Sequence, residues 1–387
     1  MKDYDIQRMV SEEEEGGVLT SLKNQGLLTK KKASKYRKIM KDDAWATLKE
    51  KWAALQDHVD KDFQVKRKMR VFAYNDKMEK DTVMSPWDSI RYNRMHLQTG
   101  VIAIDPRSGA VRAWVGGINH KYFKFDHVNE RVERQVGSTM KPFIYATAIS
   151  QRGFSPCYKV PDIPYTIHKG EGDFGLLKSW TPKNFGEYSG DEISLYTALS
   201  KSKNTVSAYL MKEIGSATPF RNLMRDMGID VDKKNVYGEP RVPNQPSICL
   251  GATDLSVFEM TGAFSTFANN GFYQAPYFIE RITDKNGNVI YAYTDDEDFS
   301  KRKQAMNPDP NFVMVEMLKK VANPIQGKLK TQVGGKTGTT NKASDTWFMG
   351  IAPEICMGVW VGGDDRWIRF SSTYFGQGGI LARPIYL

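Results

Sequence analysis

Two β-rich runs near opposite ends of this chain, with helical segments between them, constrain its fold more than any other feature. VIAIDPRSGAVRAWVGG (Val101–Gly117) carries two strand-like runs around a Pro-Arg-Ser-Gly turn, a hairpin pattern. DTWFMGIAPEICMGVWVGGDD (Asp345–Asp365) reads the same way, with its turn at Pro353-Glu354. Between them, helices are expected over Ser138–Ser150, Ile193–Ser200, Thr205–Ile214, Thr253–Asn269 and Pro310–Ala322, each closed by Gly, Asn, Pro or a polar break. A further hairpin is expected over Ile282–Tyr293, turning at Asn286-Gly287. Strands at both ends with helices between imply one sheet assembled from distant segments, an α+β layout. There is no internal repeat.

The first hundred residues differ from the rest. They are rich in Lys, Glu and Asp and poor in Gly. SEEEEGG (Ser11–Gly17) and KKKASKYRK (Lys30–Lys38) are charge runs of opposite sign, read as solvated faces or flexible arms. Ala44–Phe63 places Trp45, Leu48, Trp52, Leu55 and Val59 at helical spacing, an amphipathic pattern. Met69–Tyr74 reads as a short strand. The character changes near His96. Residues 1–95 are therefore read as a charged, partly helical region preceding the main domain, with a disordered N-terminus, and residues 96–387 as that domain.

Composition excludes several classes. Hydrophobic residues make up 40% of the 387, which suits a globular chain with a sizeable core. The net charge of +10 suits an anionic environment, but no aromatic-interleaved basic repeat is present. The excess lysine is read as a solvated surface, with no nucleic-acid partner. No run reaches the roughly 18–20 apolar residues that span a bilayer. The N-terminal stretch has no signal-peptide pattern. Taken at face value the chain is cytosolic; taken as an excised piece, it is silent on location. Cys157, Cys249 and Cys356 are scattered without a C-x-x-C, so neither a zinc site nor a disulfide framework is expected, although a Cys157–Cys249 bridge stays open. Cys356 reads as a core residue. His58, His96, His120, His127 and His168 include no metal pair at helical spacing. TDDEDF (Thr294–Phe299) lacks the glycine and distal glutamate of a calcium loop and reads as a solvated turn.

Three short patterns carry the chemistry. RQVGSTMKPF (Arg134–Phe143) sets Ser138 and Lys141 three residues apart, on one helix face. A serine hydroxyl needs a base to take its proton. Lysine serves only if burial or neighbouring cations depress its pKa from about 10.4. Backbone N–H groups at the helix start would hold the developing oxyanion. Alone the pattern is weak, because S-x-x-K also occurs at Ser200–Lys203 and Ser300–Lys303, and an N-cap serine with a surface lysine explains it as well. Ser202 and Asn204 form the one S-x-N, at a junction between two helices; either could instead cap the second helix. GGKTGTT (Gly334–Thr340) contains the one Lys-Thr-Gly. Gly338 would allow close backbone approach, while Lys336, Thr337 and Thr339 would line an edge suited to a carboxylate. A phosphate-binding loop fails on spacing and on the strand that follows.

The order S-x-x-K, S-x-N, K-T-G is the signature of serine acyltransferases that react with penicillin. From about Met84 to the C-terminus the chain resembles the transpeptidase domain of class A (bifunctional) penicillin-binding proteins. The resemblance is carried by AIDPRSGAVRAWVGG, RQVGSTMKPFIYATAI, W-T-P-K-N with Tyr188-Ser189-Gly190, ALSKSKNTVSAYL, LGATDLSVFEMTGAFSTFANNG, GGKTGTTNKASDTWFMG and VWVGGDD. Residues 39–98 resemble the region that precedes this domain, and MSPWDSIRYN resembles Bacteroides-group versions.

The resemblance implies a β-lactamase/transpeptidase-like fold, a central antiparallel sheet flanked by helix clusters. It implies that Ser138 is acylated with Lys141 as base, that Ser202 relays the proton and that Asn204 binds the substrate amide. Lys336 would supply positive charge; Thr337, Gly338 and Thr339 would line the carboxylate site. Backbone N–H groups of Ser138 and Thr339 would form the oxyanion hole. The implied reaction cross-links peptidoglycan stem peptides: a D-Ala-D-Ala donor loses D-alanine and an amine acceptor resolves the ester. β-Lactam antibiotics would acylate the same serine. No cofactor and no metal are called for. Class A proteins carry a membrane helix and a glycosyltransferase domain before this region, which would place the whole protein at the periplasmic face of the inner membrane. Neither is present in this sequence, and it stops at ARPIYL, short of the family's usual final helix. Two other functions stay open: a D,D-carboxypeptidase or β-lactamase-like hydrolase, for which Glu187 and Glu192 are the nearest glutamates in sequence, and a non-enzymatic β-lactam sensor. Trp180, Asn184 and Tyr188 either line the groove or simply pack.

Overall fold

A computed structural model describes residues 29–40, 50, 53, 57–184, 186–235, 238–293, 302–340, 343–372 and 374–387. It divides into two units, 1–93 and 94–387. In the first, the basic run Lys30–Lys38 lies in helix α1 (Lys30–Met40), with its described side chains exposed, as a solvated face. The expected amphipathic helix is described only in part. Residues 57–64 are helical, whereas Trp45, Leu48, Trp52 and Leu55 lie outside the described residues, as does SEEEEGG. Strand β1 (Arg67–Phe72) covers most of the expected strand and pairs antiparallel with β2 (Glu79–Met84). Helix α2 (Pro86–Arg94) follows.

The second unit is built on a five-stranded antiparallel sheet. Its strands are β3 (Gln98–Ile104), β4 (Val111–Val115), β13 (Gly334–Thr339), β14 (Asp345–Ala352) and β15 (Ile355–Gly362), in the order β13-β14-β15-β3-β4. Both expected end hairpins form, and Trp360↔Gly100 registers them against each other. The sheet thus joins the two ends of the domain sequence, and the Lys-Thr-Gly run occupies its edge strand β13.

Helices cover the sheet. Among them α3 (Lys141–Arg152) is buried from Lys141 through Ile149. A helix apolar on nearly every side belongs inside a domain, and Phe143 meets Phe264 and Phe267 of α7 (Val257–Ala268) at 5.5 and 6.0 Å between ring centres. Helix α7 starts with a capping box between Ser256 and Glu259. Helix α4 (Leu195–Ser200) precedes α5 (Asn204–Ile214), and α8 (Pro308–Gln326) packs on β13. The sequence reading missed α6 (Thr218–Asp226) and the two- and three-residue strand pairs β5–β8 (Arg134–Gln135, Asp254–Leu255) and β6–β7 (Lys159–Pro161, Glu192–Ser194). The Ile282–Tyr293 hairpin forms as β10 (Arg281–Thr283) and β11 (Val289–Ala292). Thr294–Phe299 lies outside the described residues. Cys157, Cys249 and Cys356 are all free, which rules out the Cys157–Cys249 bridge, and Cys356 is buried.

Two glycines let the backbone segments near α3 meet. A Cβ on Gly137 (φ +54°) would lie 2.7 Å from the Thr339 carbonyl oxygen; one on Gly251 (φ +76°) would lie 2.0 Å from that of Gly137. Glycine alone combines this backbone angle with such contact.

The turn between α4 and α5 obeys a cap rule with the wrong residue. Ser202 N–H donates to Leu199 O (3.1 Å) and Lys203 N–H to Ala198 O (3.0 Å). This is a Schellman cap, whose left-handed position is usually glycine. Here it is Ser202, at φ +54°. An L-residue in this region costs about 1 kcal/mol or more. Ser202→Gly and Ser202→Ala both delete the hydroxyl, but only glycine relieves the backbone. The glycine variant is expected to be the more stable by about 1 kcal/mol in denaturant unfolding; equal stability would show that the left-handed angle carries no strain.

Candidate active site

The chain reaches Ser138 through β5 and a 3₁₀ turn (Gly137–Met140) that runs straight into α3. In a 3₁₀ turn, side chains three residues apart eclipse, and Lys141 N–H closes the turn on Ser138 O. Ser138 and Lys141 therefore share a face for a reason tighter than ordinary helical spacing. Arg134 fixes the approach: its guanidinium donates to Gly363 O (2.8 Å) and Asp364 O (2.7 Å) and lies 4.7 Å from the centre of the Trp360 ring.

The Lys141 Nζ does not spend its hydrogen bonds on Ser138. It donates to the carbonyl oxygen of Ser202, to Ser202 Oγ (3.2 Å) and to Asn204 Oδ1 (2.7 Å). From the other side, Lys336 on β13 donates to the same Ser202 Oγ (2.9 Å) and to Thr337 O (3.0 Å). The S-x-x-K, S-x-N and K-T-G residues thus converge, with Ser202 as the shared point. Thr337, half-buried, follows Lys336 on the edge strand; Gly338 is buried, and a Cβ there would lie 2.8 Å from both Val136 O and Thr139 Cγ2. Thr339 Oγ1 accepts from Gly378 N–H (3.2 Å), which leaves its own proton free to donate. The Ser200–Lys203 repeat of S-x-x-K is different: Ser200 Oγ is spent on Thr197 O (2.9 Å) within its own helix. Ser300–Lys303 lies partly outside the described residues.

Both lysines are fully buried. Burial, and then the neighbouring Lys336 charge, hold Lys141 well below the usual lysine range. Burial lowers Lys336 to about 7. A neutral amine at Lys141 keeps two N–H donors and one lone pair. Ser202 O and Asn204 Oδ1 can only accept, so they take the two donors, and the lone pair is left for a hydroxyl proton.

Asn204 is held so that its oxygen faces Lys141, because its Nδ2 donates to Lys183 O (2.8 Å). Neither Ser202 nor Asn204 caps α5, the alternative left open by the sequence. The N-cap residue is Lys203, which makes no side-chain cap. Asn184 supplies the cap instead: its Oδ1 accepts from Asn204 N–H (3.0 Å) and Thr205 N–H (3.2 Å). Asn184 is thus a positioning residue that the sequence reading named only as a possible groove or packing residue; an uncapped helix start at Lys203 was the available signal. Trp180 packs partly buried against the core, while Tyr188, Glu187 and Glu192 are exposed. The described residues hold no cluster of three or more metal-binding side chains. None of the described helices is long and apolar enough to cross a membrane.

Comparison with known proteins gives this geometry its family. The model of the penicillin-binding protein transpeptidase domain matches residues 99–374, and that of the penicillin-binding protein middle domain matches residues 25–97. The chain is 32% identical over 287 residues to penicillin-binding protein 1A of Rickettsia conorii, covering 68% of this chain and 34% of that protein. It is 32% identical over 297 residues to penicillin-binding protein 1A of Neisseria meningitidis, covering 75% and 35%. The chain therefore spans about a third of the length of these relatives. Among solved structures, penicillin-binding protein 1A from Haemophilus influenzae superposes with a TM-score of 0.60 at 24% identity, covering 71% of this chain and 45% of that one. PonA1 from Mycobacterium tuberculosis in complex with penicillin V gives 0.56 at 25% identity, covering 69% of each. The fold is that of β-lactamase-like transpeptidases, and the chain belongs to the penicillin-binding protein transpeptidase family, with class A relatives.

Proposed function

We propose that this chain is the D,D-transpeptidase part of a class A penicillin-binding protein, and that it works through an acyl-enzyme on Ser138. The observation that carries the reading is the meeting of Lys141 and Lys336 on the Ser202 hydroxyl, beside the turn that bears Ser138. Lys141 takes the Ser138 proton, and Ser138 Oγ attacks the carbonyl of a D-Ala-D-Ala stem peptide. The oxyanion is received by the backbone N–H groups of Ser138 and Thr339; the close contact of Gly137 with Thr339 favours that pairing. The proton passes through Ser202, polarised by the Lys336 ammonium, to the departing D-alanine. An amine of a second stem then resolves the ester and closes the cross-link. The donor's carboxylate would lie against Lys336, Thr337 and Thr339 across Gly338, and Asn204 would meet its amide through the second Nδ2 proton. β-Lactams would enter the same position.

Residues 1–95 would form the region that precedes the transpeptidase domain, residues 96–387. The parent protein would carry a membrane anchor and a glycosyltransferase domain and act at the periplasmic face of the inner membrane. MSPWDSIRYN (Met84–Asn93) supports a Bacteroides-group origin.

Incubation with penicillin followed by intact-mass spectrometry tests the nucleophile. Wild type and Ser200→Ala are expected to gain one stable adduct, and Ser138→Ala none; an adduct persisting in Ser138→Ala refutes the assignment. Rapid adduct release would mean a lactamase, and a stable adduct without D-alanine exchange on a stem-peptide analogue would mean a sensor.

The lysine pair predicts a pH profile. The second-order acylation constant reports the free enzyme's ionisations. Lys336 must be charged to attract a carboxylate, and its pKa is about 7. Acylation by penicillin should therefore decline as pH rises through about 7, while acylation by an uncharged active ester, which loses only the polarisation of Ser202, should decline less. Matching alkaline limbs for both would remove the anion-binding role of Lys336.

A further inference from the structure

Asp162 lies in a loop outside all three sequence motifs, yet it is fully buried. Its carboxylate gathers five hydrogen bonds. Oδ1 accepts from Thr205 Oγ1 (2.7 Å) and Asn184 Nδ2 (2.9 Å). Oδ2 accepts from Lys203 Nζ (2.6 Å), Ser189 N–H (3.2 Å) and Ser189 Oγ (3.3 Å). A buried carboxylate is costly unless paired and fully hydrogen-bonded, and this one is. Burial alone would raise its pKa; Lys203, Thr205, Ser189 and Asn184 together outweigh that and hold it below the carboxylate range.

The partners are arranged around one target. Lys203 and Thr205 flank Asn204 in sequence. Asn184, gripped by Asp162, accepts the backbone N–H groups of Asn204 and Thr205. Lys183, next to Asn184, orients the Asn204 amide through its carbonyl oxygen. Lys203 also follows Ser202, whose left-handed angle needs support from its surroundings. Three of the five hydrogen bonds, from Lys203, Thr205 and Asn184, thus lead to the Ser202–Asn204 turn, whose groups face the Lys141 amine, while the two from Ser189 hold the neighbouring loop.

We infer that Asp162 is a positioning residue for acyl transfer: through Lys203, Thr205 and Asn184 it holds Ser202 and Asn204 at the geometry that keeps the Lys141 lone pair available. It touches neither the nucleophile nor the substrate itself; it acts through Ser202 and Asn204, so the acylation step is expected to lose more than initial binding, to which Asn204 adds one hydrogen bond. The inference rests on the Ser138 acyl-enzyme reading.

Stopped-flow acylation by a fluorescent penicillin tests it on the whole chain, with the first-order acylation constant separated from the non-covalent Kd. Asp162→Asn should lower the acylation constant at least tenfold, with Kd changed less than threefold. Thr205→Val removes a single donor to the same carboxylate and should lower it about threefold. A merely structural role would behave differently: fewer molecules would react and the melting temperature would fall, but each reactive molecule would acylate at the wild-type rate. That result, or an unchanged rate in folded Asp162→Asn, overturns the inference. If Asp162→Asn does not fold, Thr205→Val decides, and a wild-type rate there overturns it. A wild type that forms no adduct at Ser138 defeats the acyl-enzyme reading, and this inference with it; wild-type acylation with unaffected variants defeats the inference alone.

Discussion

Lys141 and Lys336 both reach the Ser202 hydroxyl with no exposed surface of their own, and the site follows from what that burial does to charge. Moving an ammonium out of water costs several kcal/mol even after relaxation, and two like charges around one oxygen raise the cost again. The pair lowers its energy by shedding a proton. Lys141 is the amine that burial and its partner's charge together depress, so it is the one poised to lose the proton. The remaining cation sits on the edge strand, where an incoming anion can meet it. On the proposed reading, a general base and an anion site would both come from this one desolvated pair, without a histidine.

Such a pair exists only if several backbone segments are brought into contact and kept there. Helix α3 is buried from Lys141 through Ile149, so its first side chain has no exposed surface. The 3₁₀ turn before it eclipses Ser138 with Lys141. Gly137 and Gly251 allow contacts that any Cβ would block, the first of them against Thr339 itself. Arg134 ties the strand leading to the turn to the end of β15. Among the described residues, the edge position of β13 leaves one side of the Lys-Thr-Gly strand without a paired strand.

Much of this was legible in the sequence, and the boundary is physical. The end hairpins were readable because turn chemistry and strand composition are local, and local signals also placed the long helices. The three motifs were readable because each packs its chemistry into three or four residues. What escaped depends on contacts between distant residues. The two-residue pair β5–β8 has too few positions to show a period. Helix α6 was passed over although Pro219 stands at its start. The helical-face reading set Lys141 beside Ser138, but its hydrogen bonds go to Ser202 and Asn204, residues some sixty positions downstream that no helical-face argument could weigh. Asp162 had no local signature at all: its side-chain partners lie 22 to 43 residues away.

Ser202 shows how these levels conflict and how the conflict is resolved. By local rules, the residue that ends α4 in a left-handed turn should be glycine. Glycine would ease the backbone, but it would remove the hydroxyl that both lysines share. Serine keeps the hydroxyl, and its strain must be met by the surroundings. Those surroundings are unusually dense in hydrogen bonds: two from the Schellman cap, contacts from both lysines, and the Asn184 cap on the next helix. A sequence that breaks a local rule at one residue and then braces that residue from several independent segments marks the place where function outweighs folding economy. In this chain that place is the α4–α5 turn, and the bracing identifies it even when the three motifs are set aside.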